Sequence, residues 1–390
     1  MQTNDAGRKE RAYQSIPYML TMEEVAGRNN LLAALRKVRQ NAGRSGNPDR
    51  QRRKEKAAEL RRVCRSCNIK QLREQLTSGS YLPQPVTRVK IPKGDGRFRE
   101  IGIPNPMDRI VGTALNQLLS SRCERTRFGT ESYAYRPGRS TDQAANDLLD
   151  YRDNGYGWIL KADLTSYFDT IDHALLMEMV RQYLYVDERI QNLIERMLQA
   201  GYCDHQGWHA TPEGTPQGAI LSPLLSNLYG AEIDDGLREL GAHFVRYADD
   251  IAIACKTAED CRNMLEHLKE IVLKLRLTIN LQKTTITPLN EIIFLGYGFC
   301  EEGLRIPIRR IAAHIQTLKE RIKQQENDDC RDTLPSIQRS WYAYYHNADD
   351  RLPTREDENR MIELMKQELP LWAAELLIKE LAILREEQSE

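Results

Sequence analysis

The chain has 390 residues, 41% hydrophobic and 29% charged, which suits two or three domains and a sizeable core. No uninterrupted apolar run reaches bilayer length, and the first twenty residues lack the continuous apolar core of a secretory signal; no membrane partner is expected and a cytoplasmic address is the default. The formal net charge is zero, but residues 1–100 carry 23 Lys and Arg against 10 Asp and Glu, a net of +13, while residues 325–390 carry 8 against 16, a net of −8. A basic front segment points to a polyanion, or is only a solvated helical face. The eight cysteines are scattered, with one C-x-x-C at Cys64 and Cys67. Reduced thiols are the better reading of that pair, and of Cys203 with His205 and His209, than a zinc site.

In chain order, residues 22–42 have helical periodicity, with Leu31, Leu32, Leu35 and Val38 on one face. "GRSGNP" breaks it, and residues 49–77 are a second, very basic helical region. Residues 79–104 read as a β-hairpin around the turn "KGDG". A helix is predicted over 106–127, a strand over 157–165, helices over 172–200 beginning after Asp172, and a helix over 219–240. The run 243–256, "HFVRYADDIAIACK", alternates as two strands with a tight turn, followed by a helix over 258–276 and a small hairpin near 293–306. The remainder to residue 386 is helical, with breaks at Pro335, Pro353 and Pro370. The pattern is α+β: a few antiparallel strands with several helices.

Asp249 and Asp250 stand side by side at the hairpin turn, and a turn is an ordinary place for aspartate. A third carboxylate changes the reading. Asp163 ends the apolar strand in "ILKADLTSYFDTID". If that strand pairs with the hairpin, three carboxylates meet and repel one another unless cations sit among them. An oxygen-only donor set of this charge suits Mg²⁺. Two such ions would activate an attacking hydroxyl and stabilise a leaving pyrophosphate, which is nucleotidyl transfer.

Motif order then identifies the family. "KIPKGDGRFREIGIPNPMDRIV", "SYAYRPGRSTDQAA", "KADLTSYFDTIDH", "EGTPQGAILSPLLSNLYG", "VRYADDIAIA", "LRLTINLQKTTI" and "FLGYGF" follow one another as in reverse transcriptases. The chain resembles the group II intron-encoded and intron-like bacterial branch from about residue 28 to 346. The resemblance implies a right-hand polymerase fold: a basic helical extension over 1–80, fingers over 81–156, palm over 157–300, and thumb with an acidic tail over 301–390.

It also implies roles. Asp163, Asp249 and Asp250 would hold two Mg²⁺ ions. Lys93 and Arg99, flanking the fingers turn, would close on the triphosphate. Phe168 matches the sugar gate that disfavours a 2′-hydroxyl, or is a plain core residue. Gln217 would approach the template and incoming base, with Gly218 allowing the closeness. Lys283 would protonate pyrophosphate or bind a phosphate, or is a surface lysine. Arg136 and Arg139 are candidates for template phosphate, and Leu295, Gly296 and Tyr297 would lie under the primer. Arg52, Arg53, Arg61 and Arg62 are candidates to anchor a structured RNA. Trp341, Tyr342, Tyr344 and Tyr345 read as a packing core rather than a base-stacking platform.

The expected reaction is synthesis of cDNA on an RNA template from deoxynucleoside triphosphates. The expected form is free-standing, without the DNA-binding or endonuclease region of intron proteins, working with a dedicated noncoding RNA and serving phage defence. The rival is an intron maturase acting mainly by binding RNA, and the intact carboxylate triad argues against it. An RNA-templated RNA polymerase is disfavoured by the aromatic at 168. Oligomeric state is open.

Overall fold

A computed structural model describes residues 18–42, 50–92, 98–324, 327–346 and 355–389. The first predicted helix is two, α1 (Met22–Val25) and α2 (Arg28–Gln40). Gly27 separates them, and a Cβ there would sit 2.9 Å from the Glu24 carbonyl oxygen. On α2, Leu31, Ala34 and Val38 are buried, a helical repeat facing inward. The basic region is also two helices, α3 (Arg50–Ser66) and α4 (Ile69–Thr77). Asn68 divides it by accepting hydrogen bonds from the Lys70 and Gln71 amides, which caps the second helix.

Strands β1 (Val86–Pro92) and β2 (Phe98–Ile103) form the expected antiparallel hairpin, with Thr87 opposite Ile103. Then come α5 (Pro106–Thr126), α6 (Thr141–Asp153), β3 (Trp158–Asp163), a short 3-10 turn at Tyr167–Asp169, α7 (His173–Tyr183) and α8 (Glu188–Gln199). Asp172 and Asp187 cap the last two through the Leu175 and Ile190 amides. The short strands β4 (Tyr202–Asp204) and β5 (Gly207–His209) add to the first hairpin, giving a sheet of order β2-β1-β4-β5. Helix α9 (Ser222–Glu239) leads to β6 (His243–Tyr247) and β7 (Asp250–Cys255), then α10 (Ala258–Lys274) and β8 (Thr285–Pro288). These strands and β3 make the central antiparallel sheet, order β6-β7-β3-β8. A three-stranded sheet of β9 (Ile293–Phe294), β10 (Tyr297–Cys300) and β11 (Gly303–Arg305) follows.

The C-terminal helices are α11 (Ile308–Gln324), α12 (Asn327–His346), α13 (Arg355–Glu368) and α14 (Leu371–Ser389). Helix α12 runs through Pro335, where a break was expected. The lost backbone hydrogen bond is tolerated because flanking residues are anchored: Leu334 and Gln338 are fully buried, and His314 Nε2 lies 2.7 Å from Gln338 Oε1. The acidic tail helix α14 packs on α12 and α13, burying Ala373, Leu377 and Leu381.

The central sheet is buried on both faces, and residue parity assigns each side chain to one of two cores. Leu160 and Ala162 on β3 join Ile251 and Ile253 on β7 and the α5, α7 and α9 side. Ile159, Ala252 and Ala254 face the other way, into the core shared with α6 and the C-terminal helices. No helix among the described residues is long and apolar enough to cross a membrane.

Candidate active site

Strand pairing brings the three aspartates together. Strand β3 runs antiparallel to β7, and the register sets Asp163 directly opposite Asp250. Asp249 occupies the β6–β7 turn after Ala248, whose φ of 59° lies in the left-handed region. Burial, and after it the Asp163 charge, raise the Asp249 carboxyl above the usual range. Burial and then the Asp249 charge do the same to Asp250. Lys283 Nζ lies 3.0 Å from Asp163 Oδ2. It is delivered there by a loop tied to the same strand end: the Asn280 amide donates to the Asp163 carbonyl at 2.8 Å, and the Lys283 amide to Asn280 at 3.1 Å.

The aspartate turn rests on a buried ion pair that the sequence reading missed. Arg246 is fully buried, and its guanidinium donates to both carboxylate oxygens of Asp234, at 2.6 and 2.7 Å. The same group donates to the Ala248 carbonyl at 3.1 Å, to Asn227 Oδ1 at 3.2 Å and to Ser132 Oγ at 3.0 Å. Gly230 makes room for it, since a Cβ there would lie 2.7 Å from Arg246 Nη1. The available signal was an arginine inside an apolar strand and an aspartate on the apolar helix segment "GAEIDDGL".

Asp163 and Asp249 line a cleft of about 790 Å³ together with Arg99, Tyr135, Phe168, Gln217 and Lys283. Phe168 is buried, with its ring edge-on to Tyr135 at 6.3 Å and to Tyr167 at 5.7 Å. Its carbonyl accepts from the Thr215 amide at 2.6 Å, and the Gly214 amide donates to Ile171 at 2.8 Å, so the turn after β3 and the loop before α9 are stitched together. Arg99 Nε donates to Gln217 Oε1 at 2.8 Å, which joins β2 to that loop. Gly218 has a φ of 104°, and an added Cβ would lie 2.6 Å from the Gly102 carbonyl oxygen, so contact with β2 by itself requires a glycine there.

The role expected of Arg136 needs correction. It is buried, paired with both carboxylate oxygens of Glu124 at 2.9 and 2.8 Å, and bonded to the Gly129 and Ser132 carbonyls. Four of its five N–H donors hold its own loop, and the side chain is buried away from the cleft. Arg139 is half-buried, with its guanidinium 5.3 Å from the Tyr133 ring centroid. The Tyr297 ring is fully buried and turns into the core, donating from Oη to the Tyr344 carbonyl at 2.9 Å. Leu295 and Gly296, with φ of 50° and 90°, form the turn above it. Tyr344 Oη donates to the Leu295 carbonyl at 2.6 Å, and Tyr342 and Tyr345 are buried beneath, so this aromatic cluster packs.

On α3, Ala57, Leu60 and Cys64 are buried, while Arg61 and Arg62 are exposed. Lys93 and the side chains of Arg52 and Arg53 lie outside the described residues. Cys64 and Cys67 are free thiols whose pKa values burial pushes up. His209 lies 3.0 Å from Asp204 and stacks on Tyr202, within the β4–β5 hairpin.

Residues 91–299, more than half of the chain, match the family described as reverse transcriptase (RNA-dependent DNA polymerase). Protein YkfC of Escherichia coli (strain K12) is 33% identical over 296 residues, spanning 64% of this chain and 76% of YkfC. The group II intron-encoded protein LtrA of Lactococcus lactis subsp. cremoris is 29% identical over 296 residues, 59% of this chain and 49% of LtrA, so the chain spans about half of that relative. A telomerase structure from Candida albicans aligns with a TM-score of 0.46 at 13% identity, covering 77% of this chain and 62% of that one. The ordered motifs, the three aspartates brought together by strand register and the match over residues 91–299 agree, and the chain belongs to the reverse transcriptase family, with group II intron-encoded proteins among its relatives.

Proposed function

We propose that this protein copies an RNA template into cDNA at the cleft lined by Asp163 and Asp249, with Asp250 paired against Asp163 behind them. The observation that carries the reading is the register of β3 on β7, which sets Asp163 against Asp250 beside a cleft walled by Phe168. The donor set fits magnesium: it is all oxygen, and burial with mutual repulsion leaves Asp249 and Asp250 short of positive charge. Among the described residues no three His, Cys, Asp or Glu side chains are gathered tightly enough to close a cage by themselves. Mg²⁺ ordinarily keeps waters and takes substrate phosphates beside one or two carboxylates, so an open set is suitable. Asp163, Asp249 and Asp250 would hold two Mg²⁺ ions, which would supply activation of the primer hydroxyl and charge stabilisation on the leaving pyrophosphate.

The chain's own residues do the rest. Arg99, held by Gln217, faces the triphosphate, with Lys93 from the same hairpin. Lys283, already beside Asp163, is placed to donate a proton or hold a phosphate. Phe168 excludes a 2′-hydroxyl, Leu295 and Gly296 lie under the primer, and Arg139 faces template phosphate. In this reading residues 81–156 act as fingers, 157–300 as palm and 301–390 as thumb. The outward arginines of α3 bind a dedicated structured RNA, supported by the net +13 of residues 1–100.

The test is extension of a DNA primer on RNA by purified protein with Mg²⁺. Wild type should give full-length cDNA, and Asp249→Asn should lose at least about a thousandfold in rate while retaining RNA binding. Near-normal extension by that variant sinks the assignment. The biological setting proposed with it, defence against phage, is checked by plaque counts on cells carrying wild type or Asp249→Asn.

A further inference from the structure

Tyr135 lines the cleft and has no part in the reaction as derived so far. Its neighbours in the chain are buried, with Tyr133, Ala134 and Arg136 at 1%, 0% and 5% exposure, yet Tyr135 itself is 51% exposed. The backbone is pinned on both sides. The Tyr133 amide donates to the Arg246 carbonyl at 3.0 Å, Asn227 Nδ2 donates to the Ala134 carbonyl at 2.6 Å, and Arg136 is locked onto Glu124. Between these anchors Tyr135 is held at a φ of 60°, the left-handed region that a bulky side chain rarely adopts. Strain of this kind persists only where the surroundings over-determine it, and it clusters at ligand sites.

The ring and the hydroxyl each have something to offer. The Tyr135 ring stands nearly perpendicular to Phe168, at 79° with centroids 6.3 Å apart, so the two aromatics form a corner open to the cleft. The hydroxyl makes no hydrogen bond among the described residues. A phenol is neutral near pH 7, so the hydroxyl is available as a donor.

We propose that Tyr135 is a specificity-determining residue for the incoming nucleotide: its ring is the second wall of the slot that takes the deoxyribose, and its hydroxyl donates to an oxygen of the bound deoxynucleoside triphosphate. The proposal rests on the reverse transcriptase reading given above. Tyr135→Phe keeps the wall and removes the donor, so the KM for deoxynucleotide rises about three- to tenfold with kcat nearly unchanged. Tyr135→Gly removes both wall and donor and also relieves the backbone. It therefore raises the melting temperature while it lowers discrimination against ribonucleotides about tenfold. A residue with a merely structural role would give the opposite pairing.

The experiment is single-nucleotide incorporation on an RNA-templated primer with deoxy- and ribonucleotide series, beside thermal melts of the same proteins. A higher KM for Tyr135→Phe, with the stable but less selective Tyr135→Gly, supports the slot. If wild type incorporates normally and both variants match it in KM and selectivity, the Tyr135 assignment alone is overturned. If wild type incorporates no deoxynucleotide, the reverse transcriptase reading fails and the slot falls with it.

Discussion

Asp249 and Asp250 are at odds with the stability of the fold that holds them. Burial, more than any neighbouring charge, raises both carboxyls, so the ionised form is harder to hold in the folded chain than in the unfolded one. The sign follows. Below the unfolded-state pKa both states are protonated and no penalty exists; as pH rises past the raised folded value, both states are ionised and the folded state carries the whole penalty. At pH 7 without divalent ions, Asp249→Asn should therefore raise the melting temperature by about 1–3 °C, a gain that vanishes near pH 3. Adding Mg²⁺ should stabilise wild type more than the variant, read by thermal melts with and without the ion. At the same scale, Phe168→Val should raise ribonucleotide use relative to deoxynucleotide about tenfold or more in single-nucleotide assays; an unchanged ratio in an active variant makes Phe168 a packing residue only. These residues were legible because their chemistry is local: a carboxylate at a strand end and an aromatic five positions on. The burial of Arg136 was not legible because it depends on a partner on another element, Glu124 of α5.

At the scale of elements, the hairpins and most helices follow from alternation and periodicity, and the caps at Asp172 and Asn68 set two of the boundaries. Helix α6 and strands β4, β5 and β8 were not anticipated. The three strands have four residues or fewer, too short for alternation to register; β4 and β8 add to the edges of the longer β1 and β3, and β5 folds back on β4. The Arg246–Asp234 pair joins elements in a way periodicity cannot report, since it links β6, α9 and the loop before α6 through side chains. Arg246→Met leaves Asp234 buried without its partner and should cost about 3–5 kcal/mol. Arg246→Met with Asp234→Leu should recover most of that stability in denaturant melts. The double variant still lacks the donor to the Ala248 carbonyl, so its kcat should remain depressed while its stability returns. Recovery of both together would mean that the pair acts on folding alone.

The molecule as a whole is neutral, yet its first 100 residues carry a net +13, and helix α3 concentrates that charge. Its buried face, Ala57, Leu60 and Cys64, packs towards α2 and α5, which leaves Arg61, Arg62 and Arg65 exposed on the outside. Such a helix is compatible with two states of affairs, a solvated surface or a phosphate-binding face, and salt dependence separates them. Each phosphate contact releases condensed counterions, so the logarithm of affinity falls with the logarithm of salt by about 0.7–0.9 per contact. Replacing Arg52, Arg53, Arg61 and Arg62 with Gln should weaken binding of the copurifying RNA and flatten that slope by about 3, if most of the four make contact. Extension of a pre-annealed generic primer–template at saturating concentration should change less than about twofold, because the proposed reaction site is the carboxylate cleft on the central sheet. Binding curves at four or five salt concentrations, run beside that extension assay, decide the matter. An unchanged slope makes the basic helix a solvated face. A collapse of both activities together makes α3 part of the polymerase body, and the proposal of a dedicated RNA then loses its physical support.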